Sequence, residues 1–136
     1  MPPITALHHL SLTVTDLARS VDWYTRLLGF RVTSEVEGPT FRRTRLTHPG
    51  ATLTLTLTQH DEGPPDEFQE TRVGLDHLAF LVPTVADVEA FERLLEEHAV
   101  PHSQVKRAAP DVSRIIFRDP DNIQLEVMAA PPPAMG

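Results

Sequence analysis

Two periods of hydrophobic and polar residues alternate along this chain, and their order is written twice. Residues 7–14 place His8, Leu10, Leu12 and Val14 on one side and Leu7, His9, Ser11 and Thr13 on the other. That is the period of a half-buried strand. Leu10, Leu12 and Val14 make the apolar side, so His9 points to the more polar one. Over residues 17–28 the period lengthens to that of a helix, with Val21, Tyr24, Leu27 and Leu28 on one stripe. Asp16 is placed to cap its start and Gly29 its end. Residues 30–35, 40–47 and 51–58 then read as strands, divided by turns at Gly38-Pro39 and His48-Pro49-Gly50. The last of them, ATLTLTLT, sets Leu53, Leu55 and Leu57 opposite Thr52, Thr54, Thr56 and Thr58 without a fault.

A polar linker follows over about residues 61–74, carrying Pro64-Pro65, and then the order recurs. Residues 75–82 alternate as a strand, with Leu78, Phe80 and Val82 opposite His77, Ala79 and Leu81. Residues 85–99 read as a helix with its acidic residues outward. Weak and stronger strands are expected over 104–108 and 113–118, a turn over 119–122, a final strand over 123–128 and a flexible tail over 129–136. The recurrence has a fixed offset: His9 and His77 lie 68 apart (77 − 9), and the same step carries Leu10 to Leu78, Val14 to Val82, Trp23 to Phe91 and Leu27 to Leu95. Two copies are too few for a solenoid. The chain therefore reads as one domain, residues 1–136, built from two βαβββ modules at about 5–60 and 75–128.

Composition narrows the chemistry. With 136 residues and no cysteine, the chain has no disulfide, thiolate metal site or cysteine nucleophile. Its net charge of −7 argues against nucleic acid as the main partner. No apolar run is long enough for a membrane span, and MPPITALHH lacks the pattern of a signal peptide, so a cytoplasmic protein without membrane or nucleic-acid partners is expected.

Three stretches carry a family resemblance: H-L-x-L-x-V-x-D-L-x-x-S-x-x-W-Y-x-x-L-L-G-F from His9 to Phe30, H-L-A-F-x-V from His77 to Val82, and F-R-D-P-D-N-I-Q-L-E from Phe117 to Glu126. With them the chain resembles the vicinal-oxygen-chelate superfamily, which includes glyoxalase I, extradiol dioxygenases, methylmalonyl-CoA epimerase, fosfomycin-resistance enzymes and bleomycin-resistance proteins. The likeness runs over about residues 5–128. It implies an α+β fold in which the two modules curl a mixed sheet into an open cup with the helices outside, and pairing of chains into a homodimer.

The resemblance also implies a metal site. His9 and His77 match the ligands on the first strand of each module, and Glu126 the ligand on the last strand of the second. The alternation agrees, because Glu126 is out of phase with Ile123, Leu125 and Val127. Two imidazoles and a carboxylate suit one divalent ion: Fe(II), Mn(II), Ni(II), Co(II) or Zn(II). The fourth family ligand maps to Thr56, less well to Thr54. Gln59 is out of phase, and His60 is in phase but expected beyond the strand. A neutral threonine there argues against glyoxalase I activity, and against epimerase activity unless Gln59 reaches the site through a bulge. The expected protein is a dioxygenase-like or lyase-like enzyme acting on a small substrate that chelates through two oxygens. An extradiol reaction also needs an acid/base, for which His60 and His102 are the candidates, with Glu126 a further catalytic candidate.

The alternatives are a metal-free binding or antibiotic-sequestering protein of the bleomycin-resistance type, and a fosfomycin-type transferase. The transferase lacks its expected phosphonate cluster, for which Lys106 and Ser113 are isolated matches. Arg43, Arg45 and Arg114 read either as solvated surface or, with Thr56, as substrate contacts. Asp119 and Asn122 read as turn residues, and His8, His48 and His98 as surface.

Overall fold

The computed structural model describes residues 1–64 and 66–131; Pro65 of the linker and residues 132–136 of the expected tail lie outside the described residues. The chain divides into two compact units, the second beginning at Glu67. Each holds one helix and one four-stranded mixed sheet, giving an α+β fold of two tandem βαβββ modules.

The first unit comprises β1 (Leu10–Thr13), α1 (Leu17–Leu28), β2 (Arg31–Glu37), β3 (Phe41–Thr47) and β4 (Thr54–His60). Its sheet order is β1-β4-β3-β2, with β1 parallel to β4 and the other pairs antiparallel. Helix α1 starts where Asp16 accepts a hydrogen bond from the Arg19 amide at 3.1 Å. It ends at Gly29, whose φ of 77° is left-handed and open to glycine without strain. One sheet face lies under the helix. There Leu46, Leu55 and Leu57 are fully buried, as is Tyr24 of α1, and each such leucine contributes roughly 2 kcal/mol by leaving water.

Several details differ from the pattern-based reading. Strand β1 is confined to Leu10–Thr13, so His9, expected on that strand, precedes it. Strand β4 starts at Thr54 and not at Ala51, because Gly50 and Ala51 bond back to the Nδ1 and carbonyl of His48 and keep the turn going. It runs on to His60, which pairs with Phe41. His48, expected at the surface, is half-buried: its Nε2 donates to the Leu28 carbonyl at 2.9 Å while its Nδ1 accepts from Gly50. That bond satisfies one of the carbonyls left open at the end of α1.

The second unit repeats the order with β5 (Leu78–Leu81), α2 (Val85–Glu97), β6 (Lys106–Ala109), β7 (Val112–Arg118) and β8 (Gln124–Ala129), arranged β5-β8-β7-β6. A capping box of Thr84 and Asp87 starts α2. The helix stops short of Ala99, which turns left-handed at φ 54°. In the β7–β8 turn the Asp119 carboxylate accepts from the amides of Asp121 and Ile123, and Asn122 takes φ 68°. Ala129, assigned to the tail by pattern, is a buried strand residue. Part of the linker is tied to this unit: the Phe68 amide donates to the Asp121 carbonyl, the Asn122 side chain donates to the Phe68 carbonyl, and Glu70 grips Arg118 with two bonds of 2.9 Å. Neither helix is long and apolar enough to cross a membrane.

Candidate functional site

Sheet parity decides which side chains are available for chemistry. In the second unit α2 covers Ile115, Phe117, Leu125 and Val127, all buried. The alternate residues Arg114, Ile116, Arg118, Gln124, Glu126 and Met128 project from the helix-free face. Glu126 sits on the central strand β8, with Ala79 of β5 on one side and Ile116 of β7 on the other. It is 3% exposed. A carboxylate so placed needs strong partners to remain charged. Those present are long: Gln124 Nε2 donates at 3.5 Å, Arg114 Nη1 lies at 3.8 Å and His77 Nε2 at 3.9 Å.

His77 precedes β5 and is oriented from behind. Its Nδ1 lies 2.6 Å from the Asp76 carboxylate, which directs Nε2 to the Glu126 side. The Asp76 hydrogen bond pushes the His77 pKa above its ordinary value; partial burial opposes this and the Glu126 charge adds to it. A carboxylate behind a histidine is the arrangement that fixes tautomer and raises basicity in metal-ligating imidazoles. Gln124 is fixed in turn: its Oε1 accepts from Arg118 at 3.2 Å, and Arg118 is held by Glu70. Arg118 draws the Glu70 carboxyl down to about 2.

In the first unit β4 sends Leu55 and Leu57 to the helix and Thr54, Thr56, Thr58 and His60 to the other face. The ladders relate this strand to β8. Ser11, two residues after His9, pairs with Thr56; Ala79, two residues after His77, pairs with Glu126. Thr56 is thus the positional counterpart of Glu126. Its hydroxyl is buried without a hydrogen-bond partner. Thr58 Oγ1 accepts from Arg43 Nε at 2.8 Å and lies 3.1 Å from Ser11 Oγ. Arg43 also stacks over Phe41, 4.6 Å from the ring centre. His9 is exposed beside His8, their Nδ1 atoms 2.7 Å apart.

Of the three expected metal ligands, the second unit brings His77 and Glu126 together, and His9 stands in the first unit. Among the described residues no group of three histidine, cysteine or acidic side chains is gathered for a metal ion. Gln59 is engaged elsewhere. Its Oε1 accepts from the Leu17 amide at 2.8 Å, and the β3–β4 ladder carries no bulge that would turn it to the other face. His102 lies beside α2, bonded to the Ser103 carbonyl and 3.5 Å from Glu96. His60 ends β4, exposed. Lys106 is exposed on β6, and the Ser113 hydroxyl is buried without a partner. Asp76, Gln124, Arg118 and Glu70 escaped the pattern reading. Asp76 adjoins His77 and Gln124 lies two residues from Glu126, so both were within reach of strand alternation. Nothing local links Glu70 to Arg118.

Comparison with known proteins agrees with this fold. Residues 6–127 match the model of the Glyoxalase/Bleomycin resistance protein/Dioxygenase superfamily. An uncharacterized protein of Escherichia coli (strain K12), YaeR, is 30% identical over 127 residues, which span 89% of this chain and 93% of YaeR. The crystal structure of a glyoxylase/bleomycin resistance protein/dioxygenase domain from Frankia sp. EAN1pec superposes with a TM-score of 0.86 at 36% identity, covering 95% of this chain and all 100% of that one. The fosfomycin resistance protein FosX of Listeria monocytogenes, solved with Mn(II) and sulfate, shares the fold at TM-score 0.72 and 18% identity, with 96% of each chain covered. The chain belongs to the Glyoxalase/Bleomycin resistance protein/Dioxygenase superfamily.

Proposed function

We propose that this chain is a divalent-metal-dependent enzyme of the superfamily, with His9, His77 and Glu126 holding one ion. One observation carries the reading: Glu126 is a buried carboxylate with only long contacts, facing a histidine whose far nitrogen is already engaged by Asp76. That donor set fits an ion of the Fe(II), Mn(II), Ni(II) or Zn(II) type. A bound ion supplies Lewis acidity to a substrate that chelates through two oxygens.

The chain's own residues do the rest. Asp76 keeps the His77 ring turned so that Nε2 is the free donor. Gln124, steadied by Arg118, points its amide at one Glu126 oxygen from 3.5 Å. The superfamily's fourth ligand maps to Thr56, whose neutral hydroxyl offers no carboxylate to carry a substrate proton. This favours a dioxygenase-like or lyase-like reaction over a glyoxalase-type isomerisation.

Metal content and circular dichroism of the His77→Ala and Glu126→Gln variants test the reading. Both should fold and neither should retain stoichiometric metal. Unchanged metal content in folded variants removes the triad; a wild type that holds no metal and takes none up on titration makes the metal-free binding protein the better description.

A further inference from the structure

The helix-free face of the first unit carries positive charge in a chain whose net charge is −7. Strand register puts Arg31, Arg43 and Arg45 on this face, through their pairing with Thr47, Thr58 and Thr56. The acids of the neighbouring strand go the other way: Glu35 pairs with the buried Thr44 and Glu37 with Arg42, both on the helix side. No acidic residue of the four strands lies on the arginine face.

Arg43 is held ready. Its Nε donates to Thr58 and its plane rests on Phe41. Its two terminal amino groups have no acidic partner among the described residues, and Arg45 has none either. Thr56 lies across the ladder from Arg45, one step along its face from the Thr58 that pairs with Arg43, and its buried hydroxyl has no hydrogen-bond partner. A guanidinium immobilised on one edge and open on the other suits the two oxygens of an oxyanion. A buried unpaired hydroxyl suits a further acceptor oxygen.

We infer that this face binds the oxyanion of a small molecule, a carboxylate or a phosphonate, through Arg43, Arg45 and Thr56. As a statement about the substrate's charge this rests on the enzymatic reading above; as a statement about binding it stands without metal, and is tested without it.

The test is a titration of chelator-treated, metal-free full-length protein with acetate and, separately, methylphosphonate, followed by amide and arginine Nε–H NMR shifts. Saturable shifts are expected at Arg43, Thr56 and Thr58. Arg43→Gln should weaken binding about tenfold or more, the loss expected for a charged hydrogen bond. Thr56→Val should weaken it several-fold with the fold intact, so the inference stays testable if the arginine variant unfolds. Arg42→Gln, on the opposite face, should leave binding unchanged. The tighter of the two anions identifies the headgroup. No saturable shift with either anion, or equal weakening by Arg42→Gln and Arg43→Gln, overturns the inference. Neither result bears on metal uptake, so the two readings fail separately.

Discussion

Thr56 and Thr58 lie on the same strand and the same face, each 2% exposed, yet replacing each with valine should move stability in opposite directions. At Thr56 the hydroxyl has no hydrogen-bond partner. Burying an unpaired hydroxyl costs about 1–3 kcal/mol, and valine removes it while keeping the β-branched shape that a strand favours. A gain of about 1 kcal/mol is expected at the low end of that range, or about 4 °C in Tm for a domain of this size. At Thr58 the hydroxyl holds Arg43 Nε at 2.8 Å and contacts Ser11 at 3.1 Å. Valine there strands a half-buried guanidinium donor and should cost about 1–2 kcal/mol. Urea melts followed by circular dichroism measure both, and an unchanged slope excludes an altered denatured state. Thr56→Val at or below wild-type stability, or the same sign for both variants, would refute the reasoning. The stabilised variant should also bind the anion more weakly than wild type, because the unpartnered hydroxyl is the one left for a ligand.

Other expectations follow from single features. Gly29→Ala should cost about 1–2 kcal/mol in thermal melts, because φ 77° strains an L side chain, while the added Cβ only touches His48 at an ordinary 3.5 Å. Asp16→Ala should lose about 1 kcal/mol with the cap of α1. Glu70 has a folded pKa of about 2 against an ordinary 4.5, so its pairing with Arg118 stabilises the fold fully above pH 4.5 and is lost as pH falls toward 2. The stability gap between wild type and Glu70→Gln should therefore close across that window in acid titrations; a gap independent of pH would show that the pair does not set it.

Much of the fold was legible because its signals are local. Asp16 and Gly29 bracket α1 at the positions their chemistry requires, and the alternation of leucine with threonine marks β4. The 68-residue offset between His9 and His77 announced two equivalent units. Strand ends were less legible, since β4 begins only where His48 releases the turn, and His48 acts through a carbonyl twenty positions away. Phase marks Glu126 and strand position marks Thr56, and the ladder register makes them positional equivalents. Gln59 reads as a possible ligand from sequence because the bond that engages it, to Leu17, spans 42 residues. The Glu70–Arg118–Gln124–Glu126 chain was invisible for the same reason: its first contact spans 48 residues.

The metal site proposed above has His9, His77 and Glu126 holding one divalent ion. Elemental analysis of tag-free protein purified without chelator, followed by anaerobic titration with Fe(II), Mn(II), Ni(II) and Zn(II), tests it most directly. About one metal per chain is expected, lost in folded His9→Ala and Glu126→Gln variants, because each removes a ligand. No uptake by the wild type, or full uptake by either variant, would contradict it.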